Sequence, residues 1–484
     1  MIASLLLKNI DGYINGTWAG ATSGDTFPVT NPATGEELAE VPLMGRDETT
    51  RAVEAAAAAQ HIVTPLEKRR QWLTEIADIL RANKQELGRI ITLEQGKPWK
   101  EAQIEVEYAA GFYQYCAENG DKLEPHTLTE QPKGCEWTVY YRPAGVAGLI
   151  TPWNFPIAMM AKKLSAAVLG DCACIMKPAE HTPLSLIAMM NLLDAKLDLP
   201  DGKINLVMGP AREIGGVLCE HPKVEMLSFT GSTEVGRLLI RQTADQVKKL
   251  ALELGGNAPF FVFDDAELDK AADHLIANKF RAAGQTCVCA NRVYVHKNVV
   301  KEFSEKVAER VATLKVGDGM EEGIDIGPLI DRQGFDKVLR HVQDALDKGA
   351  RRITGEDPKE PAGEDWGCFF PPTVLNNVTH DMSCCIEETF GPVVPIIEFS
   401  TVEEAIEFGN NTELGLASYV FTNNEEVARQ VIAGLRFGHV GYNTGTGPTP
   451  EAPFGGMKNS GFGREGGTEG LFEFVEPQTV PRAR

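Results

Sequence analysis

The sequence predicts an α/β protein of two or three domains built on parallel, doubly wound sheets. Three observations carry this expectation. The chain has 484 residues, more than one hydrophobic core usually organises. From Val146 to Phe263, short apolar runs alternate with helical segments, the pattern of strands joined by crossover helices. A second alternating series then follows the first.

From about Asp47 to Gly120 the chain reads as helical, as in EKRRQWLTEIADILRANKQELGRIITLEQGK, where apolar residues recur at three and four. The first α/β series runs GVAGLI, a helix after Pro156, CACIMK, a helix after Pro183, INLVM, a helix from about Ala211, EMLSF, a helix from about Glu234, and KLALEL. A boundary is expected near Leu254, Gly255 and Gly256. The second series runs FFVF, a helix over Leu268 to Ala283, NRVYVH, a helix over Val299 to Leu314, then VVPIIEF, LASYVF and HVGYN. Two segments fit neither series: EWTVYYR before Pro143 and the C-terminal FEFVEPQTV. Both read as edge strands, either peripheral to a monomer or paired with another chain in an oligomer.

Composition is that of a globular enzyme, 43% hydrophobic and 24% charged, without low-complexity runs. A net charge of −21 repels polyanions, and no concentrated basic face is evident, so neither nucleic acid nor an anionic membrane is an expected partner. The N-terminal MIASLLLKNIDGYINGTW lacks a basic leader, a small-residue cleavage signal and the length to span a bilayer, so a cytoplasmic protein is expected. The ten cysteines are irregularly spaced and read as reduced thiols.

In an open parallel sheet, ligands collect outside the carboxyl ends of the strands. The polar residues there are Trp153 and Asn154 after GVAGLI, Lys177 and Glu180 after CACIMK, Gly231 and Ser232 after EMLSF, and Glu253 closing KLALEL. No GxGxxG follows a strand. GSTEVGRL, Gly231 to Leu238, has the spacing of a phosphate loop but carries Arg237 and Leu238 where Lys and Ser/Thr are required, which argues against a kinase or ATPase. The Gly-Ser-Thr turn still offers backbone N–H groups to a pyrophosphate, or serves only as a helix cap. Lys177 and Glu180 suit ribose hydroxyls, and a carboxylate there would repel a 2′-phosphate, favouring NAD over NADP; the alternative is a solvated Lys-Pro turn.

FRAAGQTCVCANR, Phe280 to Arg292, sets Cys287 and Cys289 among Gly, Gln, Thr and Arg. That company suits a metal clip, a disulfide or a nucleophile. Zinc needs about four ligands, and neither Cys172/Cys174 nor Cys384/Cys385 has structural-site spacing with this pair, so no metal is expected.

TPWNFP, MKPAEHTP, SFTGSTEVG, LELGGNAP, GQTC, EETFGP and PFGGMKNSGFGRE, in this order from residue 151 to 465, resemble the NAD(P)-dependent aldehyde dehydrogenase superfamily. NPATGEELAEVP and LEQGKP extend the resemblance nearly end to end. LELGGNAPFFVFDDAELDKA and FRAAGQTCVCANRVYV look most like succinate-semialdehyde dehydrogenases and related semialdehyde enzymes. The resemblance implies a Rossmann-like cofactor domain (residues 1–120 and 144–254), an α/β catalytic domain (255–466) and a small β oligomerisation arm (121–143 and 467–484) of a homodimer or homotetramer. It implies Cys287 as nucleophile, with Asn154 and the Cys287 backbone N–H as oxyanion donors. Glu253 would be the base for water, and its presence implies a free acid as product, where acyl transfer to coenzyme A is the alternative. Lys163 and Glu465 would relay protons. Trp153, Lys177, Glu180, Gly231 and Ser232 would hold the dinucleotide, with Glu388 and Phe390 at the nicotinamide ribose and ring; NAD is favoured and NADP stays possible.

By the same resemblance Arg281 and Lys162 would line the substrate tunnel, and with Thr446 or Thr449 they suit a small anionic aldehyde. Succinate semialdehyde is the first expectation; glutarate semialdehyde, 2-oxoglutarate semialdehyde, a sulfo-aldehyde, or an uncharged or amino aldehyde are the alternatives. Lys162 departs from the arginine common in succinate-semialdehyde enzymes. Cys289 reads as a resolving thiol for Cys287 in a strained, easily reduced disulfide, or as a filler. A catalytically idle structural homologue would carry a broken catalytic set, whereas Cys287, Asn154 and Glu253 are all present.

Overall fold

A computed structural model describes residues 2–484. In the first sheet the parallel strands Ile204–Leu206, Cys174–Lys177, Val146–Ile150, Val224–Thr230 and Lys249–Glu253 lie side by side in that order. Their sequence order is therefore 3-2-1-4-5, and it reverses between Val146–Ile150 and Val224–Thr230, where a crevice opens at the carboxyl ends. Helices cover both faces, so these strands are near-continuous apolar runs with no alternation. An antiparallel hairpin, Gly12–Ile14 with Thr17–Ala19, extends one edge. At the other edge Gly461–Phe462 pairs with Leu252 and Glu253.

The helical N-terminal region resolves into Arg46–Ala59, Leu66–Ala82, Lys84–Gln95 and Trp99–Glu118. Trp72, Leu73, Ile76, Val106 and Tyr113 from this group close one core over Leu164 and Leu169. Those two leucines belong to the helix Pro156–Leu169, which opens on a proline at a position where the missing N–H is no loss. Every residue of that helix is buried, Lys162 and Lys163 included. Two lysines in a wholly buried helix need partners, and the partners lie at the active site.

The second sheet orders Arg351–Thr354, Thr373–Asn376, Val393–Phe399, Ala290–His296, Ala258–Val262, Ala417–Phe421 and His439–Tyr442. Only the first pair is antiparallel. Arg351–Thr354 and Thr373–Asn376 escape the sequence reading because neither four-residue segment is long enough to show a run or an alternation. The chain crosses between sheets at Leu254–Asn257: Glu253 ends a strand of the first sheet and Ala258 begins one of the second. The carboxyl ends of one sheet thus meet the amino ends of the other.

One expected element is shorter than the sequence suggests. The helix from Leu268 stops at Lys279, not Ala283, and Ala282, Ala283 and Gly284 take φ of 48°, 58° and 75°. Apolar periodicity continues through Phe280–Ala283, which hides the stop. A Cβ on Gly284 would sit 2.3 Å from the Gly391 carbonyl oxygen, so only glycine fits there. The two left-handed alanines each store about 1–2 kcal/mol, and this strained turn leads directly into Cys287.

The two edge segments pair with each other. Val475–Ala483 runs antiparallel to Cys135–Pro143 from Val475↔Pro143 to Ala483↔Cys135, and His126–Thr127 adds a third strand. Leu471 and Phe474, just before that strand, remain buried in the first core. Among the described residues no helix is long and apolar enough to cross a membrane.

Candidate active site

Two cavities meet where the sheets abut. One, of about 210 Å³, is lined by Glu101, Ile104, Tyr108, Phe155, Lys162, Arg281, Thr446 and Phe454. The other, of about 370 Å³, is lined by Trp153, Thr230, Gly231, Ser232, Gly255, Lys337, Glu388 and Phe390. Asn154, Met159 and Cys287 line both. Whatever enters from either side reaches the same thiol.

Asn154 follows a first-sheet strand at the point where strand order reverses, and it is 4% exposed. Its Nδ2 donates to the Gln285 carbonyl at 2.8 Å, and its Oδ1 is buried without a partner. One amide N–H is thus fixed against the segment carrying Cys287 and the other is free to donate. Gln285 is itself held, with Nε2 donating to Ala282 O at 3.0 Å and Oε1 accepting from Ile330 N at 3.0 Å. Burial pushes the Cys287 thiol up to about 12, opposed by the Lys162 ammonium and supported by Glu388 and Glu253. The resting group is a thiol that needs a proton acceptor to become a nucleophile.

Glu253 is 5% exposed and both its carboxylate oxygens lack hydrogen-bond partners. Burial, then the negative charge of Glu465, hold its carboxyl well above the usual range, with Lys162, Lys163 and Arg464 offsetting part of the rise. The two buried lysines explain themselves here. Lys163 Nζ donates to Glu465 Oε1 at 2.7 Å and to Ser228 Oγ at 3.1 Å, and Lys162 Nζ lies 3.4 Å from Glu465 Oε2. Burial opposes ionisation of Glu465, yet the two ammonium groups hold its carboxyl below the ordinary value. Two glutamates in one cluster are therefore shifted in opposite directions, Glu465 toward the carboxylate and Glu253 toward the protonated acid.

On the second cavity's side, Ser232 caps the helix Thr233–Thr243 and accepts from Val235 N at 3.3 Å. A Cβ on Gly231 would strike the Phe229 ring at 2.3 Å, so the backbone turn is open to a ligand only as glycine. Glu388 accepts from Gly256 N at 3.1 Å and is raised to about 7, chiefly by burial. Phe390 packs edge-on to Trp153 with ring centroids 5.8 Å apart. Lys177 and Glu180 are not among the residues lining this cavity. They pair with each other at 2.9 Å at the end of the neighbouring strand, and Glu180 also accepts from Ala211 N at 2.7 Å. An open groove at a strand-order reversal, with a helix N-terminus and flanking aromatic rings, fits a dinucleotide. Lys337 and Gln333 line it too and were not anticipated, because they lie on a surface helix far along the sequence.

On the first cavity's side, Arg281 sits 5.3 Å from the Phe155 ring, and its buried Nε has no partner. Lys162 is already engaged by Glu465 and lies 4.6 Å from the Phe454 ring. It faces the cavity as a charge in use, not as a free one. Of the two threonines considered, Thr446 lines the cavity and Thr449 does not. Glu101 lines it as well; its carboxylate, from a helix remote in sequence, accepts from Ala282 N at 2.8 Å. Cys289 lies outside both cavities, its Sγ 3.3 Å from Gly284 O and 3.7 Å from Lys279 Nζ, and both it and Cys287 are free thiols. Among the described residues no cluster of His, Cys, Asp and Glu is arranged to hold a metal.

Residues 18–480 match the aldehyde dehydrogenase family. The chain is 44% identical over 482 residues to 3-sulfolactaldehyde dehydrogenase of Pseudomonas putida, covering 98% of this chain and 97% of that one. It is also 44% identical over 465 residues to succinate-semialdehyde dehydrogenase (NADP+) of Escherichia coli, covering 96% and 95%. Among solved structures, an oxidoreductase from Marinobacter aquaeolei superposes with a TM-score of 0.97 at 63% identity, covering 100% of both chains. With a thiol, an amide donor and a buried carboxyl gathered where a dinucleotide groove meets a second cavity, the chain belongs to the aldehyde dehydrogenase family, and it is an aldehyde dehydrogenase using NAD(P).

Proposed function

We propose that the chain oxidises a small anionic aldehyde, succinate semialdehyde first, to the free acid with NAD. The observation that carries the substrate class is Arg281: a guanidinium whose buried Nε is unpartnered, in a cavity that ends at Cys287. Sulfolactaldehyde and succinate semialdehyde, named for the two relatives, are both small anionic aldehydes, and glutarate semialdehyde shares their chemistry.

On this reading Cys287 Sγ gives its proton to solvent water and adds to the aldehyde carbon, while Asn154 Nδ2 and the Cys287 backbone N–H receive the developing oxyanion, whose collapse with loss of hydride leaves a thioester. A bound nicotinamide supplies the hydride acceptor. Glu253 then takes a proton from the water that hydrolyses the thioester, and the Lys163–Glu465 pair carries the proton onward. Residues 1–120 and 144–254 hold the dinucleotide, 255–466 carry the nucleophile, and the strands within 121–143 and 467–484 join subunits of a cytoplasmic homodimer or homotetramer.

The substrate test compares initial rates of reduced nicotinamide formation for succinic semialdehyde and butyraldehyde. Wild type is expected to favour the acid, and Arg281→Ala to lose about tenfold to a hundredfold of that preference, mostly in KM. Equal rates unmoved by the mutation would leave an aldehyde dehydrogenase that does not read an anion through Arg281.

For the cofactor, the Glu180 carboxylate is pinned between Lys177 and the Ala211 amide, where it would repel a 2′-phosphate. Glu180→Ser is expected to raise the NADP to NAD ratio of kcat/KM by about tenfold. An unchanged ratio would remove the argument for NAD.

A further inference from the structure

The helix Trp99–Glu118 turns one edge toward the active site. Lys97 stands just before it, and Glu101, Glu105 and Tyr108 follow at the spacing that stacks side chains on one helix face. Lys97 and Glu105 are 2.6 Å apart, and neither side chain is exposed at all. A buried ion pair of this kind is weak grounds for stability, since apolar residues of similar volume usually do as well or better.

The remaining bonds of the pair show where it acts. Lys97 Nζ donates to the Asn154 carbonyl oxygen at 2.6 Å and lies 3.6 Å from the centre of the Phe155 ring. The second oxygen of Glu105 accepts from Ile157 N at 3.1 Å and Ala158 N at 3.3 Å, in the first turn of Pro156–Leu169. Apart from the bond joining them, every side-chain hydrogen bond of the pair therefore ends on residues 154–158. The side chain of Asn154 is tied from the opposite direction, to Gln285 O two residues before Cys287.

We propose that Lys97 and Glu105 are a positioning pair that fixes the Asn154 main chain so that its amide side chain faces the carbonyl oxygen of an aldehyde on Cys287. This rests on the oxyanion role given to Asn154 above. Neither residue of the pair touches the reacting atoms; the pair acts through Asn154. Lys97 supplies a compact ammonium that can bond carboxylate and carbonyl together. Glu105 supplies a bidentate acceptor that links that ammonium to the start of the next helix. Glu101, one turn earlier, holds Ala282 N in the strained turn before Cys287. One helix edge thus touches both segments that must be held in register, one from each side of the crossing between sheets.

The test is a mutant cycle with NAD and the better of succinic semialdehyde and butyraldehyde. Lys97→Met alone strands a buried carboxylate and risks unfolding, so the working variant is Lys97→Met/Glu105→Gln. It removes both charges together and keeps an acceptor for Ile157 and Ala158. Its kcat is expected to fall about tenfold to a hundredfold with KM within about twofold, at a melting temperature showing the fold intact. Adding Asn154→Ala should then lower kcat by no more than about twofold beyond Asn154→Ala alone, because both changes remove the same donor geometry. Losses that multiply, or an unchanged kcat in the charge-free pair, would overturn the proposal while leaving the reading of Asn154 in place. An Asn154→Ala enzyme with undiminished turnover would overturn both, since no donor would remain to be positioned.

Discussion

Cys287→Ser is expected to abolish reduced nicotinamide formation, by about a thousandfold or more, while dinucleotide binding and the melting temperature stay at wild-type values. The hydroxyl occupies nearly the same space at the point where the two cavities meet, so packing is preserved. What changes is the nucleophile. Burial already pushes the Cys287 thiol up to about 12, and a serine hydroxyl ionises far less readily still. Lys162, which favours the thiolate, cannot make up that difference. Cys289→Ala is the matched control: its thiol faces Gly284 O and Lys279 Nζ and lines neither cavity, so turnover there should stay within a few-fold. Stopped-flow absorbance at the reduced nicotinamide band, with cofactor titration by fluorescence, separates the two variants. Substantial turnover in Cys287→Ser would move the nucleophile elsewhere, and equal losses in both variants would make the effect one of packing.

The sequence shows most of this arrangement because its parts are local. Strands of the first sheet are short apolar runs ending in polar residues, so Asn154, Ser232 and Glu253 are legible from position alone as ligand-facing groups. Their roles came from the resemblance, since no spacing in the chain says which carboxylate is the base. What stays hidden is contact between elements distant in sequence. Glu101 meets Ala282 across 181 residues, and Lys163 meets Glu465 across 302. The commitment of Lys162 to Glu465 is of the same kind: a lysine in a buried helix reads as a free cation until its partner comes into view. The end of the helix at Lys279 is hidden for the opposite reason. Ala282 and Ala283 are good helix formers forced into left-handed conformations by the tertiary structure, against their local preference.

Glu253→Gln should separate the two halves of the reaction. Addition to the aldehyde and hydride loss need no general base for water, so a first turnover per subunit is expected at a near wild-type rate, seen as a burst of reduced nicotinamide. Hydrolysis of the thioester should then limit, with steady-state turnover down about a hundredfold to ten-thousandfold. The pH dependence follows from the sign of the shift. Burial and the neighbouring Glu465 raise the Glu253 carboxyl, so the base form accumulates only above the ordinary carboxylate range. Wild-type turnover should therefore rise with pH where a solvent-exposed glutamate would already be fully ionised, and that limb should flatten in the glutamine variant. Folding gives an independent check. Burial and Glu465 already favour the neutral form of Glu253, so a neutral amide of the same shape should leave the melting temperature close to wild type. A variant as stable as wild type that shows a burst and then stalls identifies the group that activates water. Full steady-state turnover with no burst would assign that task to another residue, and Glu465, held as a carboxylate between Lys162 and Lys163, would be the next to replace.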